Sequence, residues 1–287
     1  MQPDPRFTKQ PKHFWANVRS ISQQAGYTQR GTGQIKVHSY QEMVRALGAI
    51  SLTSHHIWDA ANRRPTEFGE TLRDYFAYRA KVLNEIVEPN LMTAESAKEA
   101  YEELRKKYPQ AICPVPMNKQ KGDKRAPAYL TAMVNTIVAA HAEGIPCDYD
   151  PMALTTVTLN GVPLRTLSRR VDGAFPTSVN PIAIWEIKEY YYTTTFGSRV
   201  ADGVYETLLD GMELEELREH EGINVYHYLV VDAHYTWWTC GRSYLCRIID
   251  MMHMGYVDEV IFGKEVVQRL PELVKTWVAD HGLKAKP

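Results

Sequence analysis

The 287-residue chain contains no run of about eighteen apolar residues, so the ordinary signal for a membrane-spanning helix is missing. Its N-terminus, MQPDPRFTKQPKHFW, is polar and broken by proline, without the apolar stretch of a signal peptide. The four cysteines (Cys113, Cys147, Cys240 and Cys246) include no Cys-x-x-Cys pair, which removes zinc ribbons and dithiol redox motifs. Free thiols in a reducing cytoplasm are therefore expected. Neither His-Glu-x-x-His nor Gly-x-Ser-x-Gly occurs, so histidine-metal and serine-hydrolase chemistry have no supporting spacing. The Gly-rich stretch Arg30-Gly-Thr-Gly-Gln-Ile-Lys36 lacks the Lys-Ser/Thr ending of a phosphate-binding P-loop. Internal repeats and low-complexity tracts are absent as well.

What remains is an ordinary globular composition, 44% hydrophobic and 23% charged, in a length that suits one large or two coupled domains. The formal charge of −1 hides an asymmetry. Residues 1–64 carry a net +6, residues 1–149 a net +5, and the remainder a net −6. A basic front half beside an acidic back half fits a polyanion-holding region next to a cation-binding core, and ordinary charge scatter accounts for it equally well.

Helical spacing dominates residues 12–110. Segment 39–48 opens on a Ser cap and closes on Gly, 53–62 reads as a second capped helix, and 71–87 and 93–107 carry helical stripes. Residues 113–127 hold three prolines and four basic side chains and read as a loop. The expected division is a helical N-terminal region, 1–112, and an α/β core, 113–287. Helix 127–142 leads into it. Asn160-Gly161 then marks a tight hairpin between strands 154–159 and 162–171, the second ending at Asp172. A third strand follows at 182–190, then a helix at 196–209 broken near Gly211 with a second helical piece to about His220, a strand at 223–231, a helix at 242–254, a strand at 257–262 and a helix at 270–280. This order predicts a mixed central β-sheet flanked by helices.

Within IAIWEIKEY, residues 182–190, alternation puts Ile182, Ile184, Glu186 and Lys188 on one face of a strand. That face turns from apolar to ionic midway. Charge placed there must be paired or bound to a metal. An antiparallel return from Asp172 through residues 173–181 brings a second carboxylate towards Glu186. Two carboxylates completed by water and phosphate oxygens form a typical Mg²⁺ ligand set. Glu-x-Lys occurs only here in the chain. The same residues also permit a plain strand-borne ion pair between Glu186 and Lys188.

Asp172, thirteen intervening residues and Glu186-Ile187-Lys188 resemble the PD-(D/E)XK nuclease superfamily, in particular type II restriction endonucleases. The resemblance implies a restriction-endonuclease-like core over roughly 130–265. It also implies Asp172, Glu186 and the Ile187 carbonyl as ligands of Mg²⁺, for which Mn²⁺ substitutes, and Lys188 assisting the attacking water. The implied reaction is phosphodiester hydrolysis in double-stranded DNA by a homodimer. Repair, phage-defence and junction-cutting nucleases of the same fold are alternatives, as is a DNA-binding regulator whose carboxylates are merely ion-paired.

Arg199, Asp202 and Glu206 share a face of the following helix, as an accessory set or a solvated charge cluster. Arg30, Lys36, Arg63, Arg64, Lys119, Lys121, Lys124 and Arg125 are candidate phosphate contacts. Helices 39–48 and 53–62 together offer a helix–turn–helix.

Overall fold

The computed structural model describes residues 1–122, 125–193 and 197–284. Along the chain run α1 (Pro5–Thr8), α2 (Lys12–Ala25), α3 (Tyr40–Gly48), β1 (Trp58–Asp59), β2 (Arg64–Pro65), α4 (Glu67–Val82), α5 (Glu88–Asn90) and α6 (Ala94–Lys107). After these come α7 (Tyr129–His141), β3 (Asp148–Tyr149), β4 (Thr156–Leu159), β5 (Val162–Thr166), β6 (Gly173–Phe175) and β7 (Ala183–Glu189). The last elements are α8 (Ser198–Glu221), β8 (Tyr226–Asp232), α9 (Arg242–His253), β9 (Glu259–Phe262) and α10 (Glu265–Lys284). Among the described residues no helix is long and apolar enough to cross a membrane.

Two compact units divide the chain. Pro3–Pro89 and Gly241–Met254 form a helical unit; Met1–Gln2, Asn90–Cys240 and Gly255–Pro287 form a sheet unit. The division falls near residue 90 and not in the 113–127 loop, because α6 packs on α7. α9, expected in the α/β core, belongs to the helical unit. By sequence the helical unit holds fourteen Lys/Arg against nine Asp/Glu, a net +5, and the sheet unit a net −6.

The helical unit buries Phe14, Trp15, Ile21, Met43, Leu47, Leu72 and Phe76 in one apolar cluster. Through it runs an ion pair with almost no exposed surface. Arg79 Nη1 lies 2.9 Å from Asp250 Oδ2, and Tyr75 Oη donates to Asp250 Oδ1 at 2.6 Å. The second helix of the expected helix–turn–helix does not form. Residues 53–62 make turns and the short β1–β2 hairpin, since Asp59 Oδ1 takes the Ala61 and Asn62 N–H groups and Arg63 sits at φ 51°. A side chain that captures local amides in this way competes with a helix.

The sheet unit is built on five strands in the order β3-β6-β7-β8-β9, antiparallel up to β7 and parallel from β7 to β9. Helices flank this mixed sheet, as the sequence predicts. One face carries Trp185, Tyr228 and Ile261 against Met133 and Ile137 of α7 and Trp277 of α10, with Trp185 and Trp277 stacked at 5.6 Å. The other face carries Ala174 and Ile184 against Leu214 and Leu217 of α8. Ile182, just before β7, joins the α7 side, so the shared face expected for residues 182–188 begins at Ile184.

Three expectations need correction. The hairpin β4–β5 turns at Asn160 (φ 51°) and Gly161 (φ 80°), the left-handed pair a type I′ turn requires. It is a separate two-stranded sheet, however, and ends at Thr166. The strand that presents Asp172 is β6, read from sequence as loop because only three residues pair. Gly211 does not break α8. Its missing side chain admits the Tyr256 backbone, and the helix continues to Glu221.

Removing one partner of a buried ion pair strands the other in a medium of low polarity. Asp250→Ala should therefore cost the helical unit about 3–5 kcal/mol. Urea unfolding followed by a probe within that unit measures this, and a loss below about 1 kcal/mol would show that the pair contributes little.

Candidate functional site

At the start of β6 the antiparallel ladder with β7 ends. The last paired residues are Gly173 and Trp185, whose side-chain positions share one face. A Cβ on Gly173 would collide with the Trp185 indole. Alternation then puts Asp172 on the opposite face, with Glu186 and Lys188. Asp172 closes the ladder with its own groups. Its N–H donates to the Trp185 carbonyl at 3.1 Å, and its Oδ2 accepts the Ile187 N–H at 2.7 Å. Among the described residues its Oδ1 accepts no hydrogen bond. Both backbone groups of one strand residue point to the same side, so the Ile187 carbonyl, like its N–H, points to the β6 side of the strand, past the last paired β6 residue.

Glu186 is wholly buried in the middle of this face, and Lys188 beside it is 7% exposed. Lys188 Nζ donates to Glu186 Oε2 at 2.8 Å and to Glu206 Oε2 of α8 at 3.2 Å. Gly203 on the same helix makes room for the lysine stem, since a Cβ there would lie 3.1 Å from Lys188 Cδ. Two further residues complete the cluster. Arg169, from the segment between β5 and β6, places Nη1 2.8 Å from Glu186 Oε1 and 2.6 Å from Asp210 Oδ2. Its Nη2 donates to Glu186 Oε2 at 3.1 Å and to Glu206 Oε2 at 3.4 Å. α8 holds the segment in place, with Glu213 accepting from Ser168 Oγ at 2.6 Å and Glu216 pairing with Arg165 at 2.6 Å.

Charge balance sets the electrostatics. Four carboxylates (Asp172, Glu186, Glu206 and Asp210) face two cations. Burial alone would raise Glu186, but Lys188 and Arg169 outweigh it and hold its carboxyl below the ordinary range. Burial, with Glu186 nearby, pushes Asp172 up to about 6 and Asp210 up to about 7. Burial works against the Lys188 charge, yet Glu186 and Asp172 hold its ammonium above its usual value. Asp210 Oδ1 is buried and has no hydrogen-bond partner among the described residues. The cluster reaches solvent at its rim, where Arg169 is 23% and Glu206 44% exposed.

Residues 92–277 match the family model described as Domain of unknown function (DUF7687). The chain belongs to the DUF7687 family. Residues 1–86 match a second model, Domain of unknown function (DUF7690), so the two matches meet near the boundary between the units. The DUF7687 segment contains the whole acidic cluster and also α9 of the helical unit. No curated protein and no solved structure matches the chain.

The fold thus brings together Asp172, Glu186, Ile187, Lys188 and Glu206 of the residues expected from sequence. Asp202 stays exposed, and the Arg199 side chain lies outside the described residues. Lys36 is tied down, its Nζ donating to the Ala25 carbonyl at 2.8 Å and pairing with Glu42 at 3.1 Å, so it braces a turn and is not a free phosphate contact. Arg30, Arg63 and Arg64 are exposed on the helical unit. Lys119, Lys121 and Arg125 are exposed on a sheet-unit loop closed by the Asn118 N–H to Ala126 carbonyl bond at 2.8 Å; Lys124 lies outside the described residues. Sequence reading missed Arg169 and Asp210. Asp210 follows Glu206 at i+4 on α8, a usable signal, whereas nothing in Ser168-Arg169-Arg170 marks the first arginine.

The donor set fits a hard divalent cation: carboxylate oxygens with a backbone carbonyl beside them. Among the described residues no three His, Cys, Asp or Glu side chains close on a point that holds a metal by themselves. Asp172 and Glu186 would supply two ligands and leave the others to water or phosphate.

A carboxylate raised on folding favours the native state when protonated, so that stability is lost as pH rises through the folded value. In EDTA, Asp172→Asn keeps an acceptor for the Ile187 N–H and should melt above the wild type. The gap should open between about pH 4 and 6, the interval between the ordinary and the folded value of Asp172. Melting curves at pH 4, 6 and 7.5 test this, and a variant that melts below wild type at pH 7.5 would contradict it.

Proposed function

We propose that this chain is a Mg²⁺-dependent endonuclease acting on double-stranded DNA, with the restriction-endonuclease-type arrangement that its Asp172, Glu186-Ile187-Lys188 motif resembles. The observation that carries the reading is the shared face. A carboxylate at the end of one strand shares a face with a carboxylate and an amine on its neighbour, beside a backbone carbonyl past the end of the ladder. A plain strand-borne ion pair accounts for Glu186 and Lys188, and the Ile187 N–H accounts for one oxygen of Asp172, but its other oxygen accepts no hydrogen bond among the described residues.

Asp172, Glu186 and the Ile187 carbonyl would hold the cation. The bound ion supplies Lewis-acid polarisation of a phosphate oxygen and a lowered pKa for coordinated water. Lys188 remains protonated under the influence of Glu186 and Asp172. Its ammonium orients a water on the Glu186 side of the cluster and offsets negative charge that grows at phosphorus. Glu206 holds the same amine from the opposite side and restricts where it points. The exposed bases Arg30, Arg63, Arg64, Lys119, Lys121 and Arg125 are suited to the sugar-phosphate backbone and contribute affinity independent of sequence. A homodimer follows from the task, because cutting both strands of a two-fold site suits a two-fold protein.

Incubating the protein with supercoiled plasmid and Mg²⁺ tests the reading. Wild type should nick and linearise the plasmid, and EDTA should stop it. Asp172→Ala, Glu186→Ala and Lys188→Ala should each lower the rate about 100-fold or more while gel-shift affinity in Ca²⁺ stays close to wild type. Cleavage that survives Glu186→Ala, or DNA bound tightly and never cut by the wild type, would point to the regulator instead.

A further inference from the structure

Arg169 occupies an unusual place for an arginine beside carboxylates expected to hold a metal. Its guanidinium lies against both oxygens of Glu186, at 2.8 and 3.1 Å, and against Asp210 at 2.6 Å. Glu186 has no exposed surface and cannot exchange these partners for bulk water. Its two oxygens offer about four lone-pair directions. Two are engaged by hydrogen bonds, both on Oε2, from Arg169 and Lys188; Oε1 lies 2.8 Å from Arg169 Nη1 in an ion pair and accepts no hydrogen bond among the described residues. A divalent ion that shares Glu186 with Asp172 therefore meets a positive charge already seated on its ligand. At such distances the repulsion between the two cations is worth more than a tenfold change in affinity, even with substantial screening.

The two cations on Glu186 are not equivalent. Lys188 comes from the same strand, two residues on, and is 7% exposed. Arg169 comes from the segment between β5 and β6 and keeps 23% of its side chain at the rim. Its anchors on α8 are Asp210, buried with its second oxygen lacking a hydrogen-bond partner among the described residues, and Glu206, which is 44% exposed. A guanidinium drawn away from Glu186 thus keeps charge-assisted partners on α8 and stays at the rim, where a phosphate would approach.

We propose that Arg169 is a resident counter-cation: it holds Glu186 in position while no metal is bound and competes with the divalent ion for that carboxylate, thereby setting the affinity of metal loading. The inference rests on the metal-dependent reading above and concerns the regulation of that same site. Arg169 is in this sense a positioning residue. A merely structural arginine would leave a worse cation site when removed, whereas a competing one leaves a tighter site.

Mn²⁺ binding to the purified full chain, followed by the paramagnetic resonance signal of free Mn²⁺, separates the two. Arg169→Met and Arg169→Gln, the second retaining an amide donor, should each bind Mn²⁺ about tenfold or more tightly than wild type while melting at a lower temperature in EDTA. Arg169→Lys, which restores the charge, should return the affinity to near the wild-type value. Glu186→Gln should remove the tight site in either background. Unchanged or weaker Mn²⁺ binding by both neutral variants, with the wild type binding normally, overturns the role of Arg169 alone. A wild type that binds no more Mn²⁺ than Glu186→Gln overturns the metal-dependent reading itself and this inference with it.

Discussion

A single carboxylate sets the terms for the sheet unit. Glu186 stands at the centre of β7, on the face covered by α8, with no exposed surface. An ionised carboxylate in such a place is tolerated only when charges or a metal offset its lost hydration. Lys188, Arg169 and the α8 acids that hold those bases in turn all follow from this requirement. Even the missing side chain of Gly203 serves it, by letting the Lys188 stem lie flat against the helix.

Backbone geometry decides where this charge meets the outside. β6 pairs for only three residues, and at Asp172 the ladder gives way to a side-chain bond with the Ile187 N–H. A longer β6 would have covered the backbone of Ile187 with another strand. Its early end leaves the Ile187 N–H to the Asp172 carboxylate and puts the Ile187 carbonyl on the same edge, past the last β6 residue. The mixed sheet makes this possible, since the antiparallel partner ends there while the parallel partner β8 runs on beside β7 as far as Asp232.

The strands were legible where periodicity was long or a turn needed special backbone angles. The ionic turn in β7, the apolar strand β8 and the Asn-Gly hairpin all stand in the sequence, because each follows from side-chain alternation or from a backbone angle that few residues accept. Short or tertiary features were not legible. β6 is three residues long, too brief for any period. Gly211 reads as a break and is a point of close approach to the Tyr256 backbone. Residues 53–62 carry helical spacing, but Asp59 spends their amide donors on itself. Arg169 was invisible for a different reason. Its partners on β7 and α8 lie 17 to 41 residues further along the chain, and no local pattern encodes a meeting of that kind.

One divalent cation shared by Asp172 and Glu186 past the end of β6 is what the proposed function requires. A crystal structure of the protein grown with Mn²⁺, with anomalous scattering recorded for manganese, tests it most directly. A manganese peak should lie in contact with both carboxylates and the Ile187 carbonyl, with the Arg169 guanidinium displaced from Glu186. Manganese bound elsewhere, with Arg169 still seated on Glu186 and no ion beside Asp172, would contradict it.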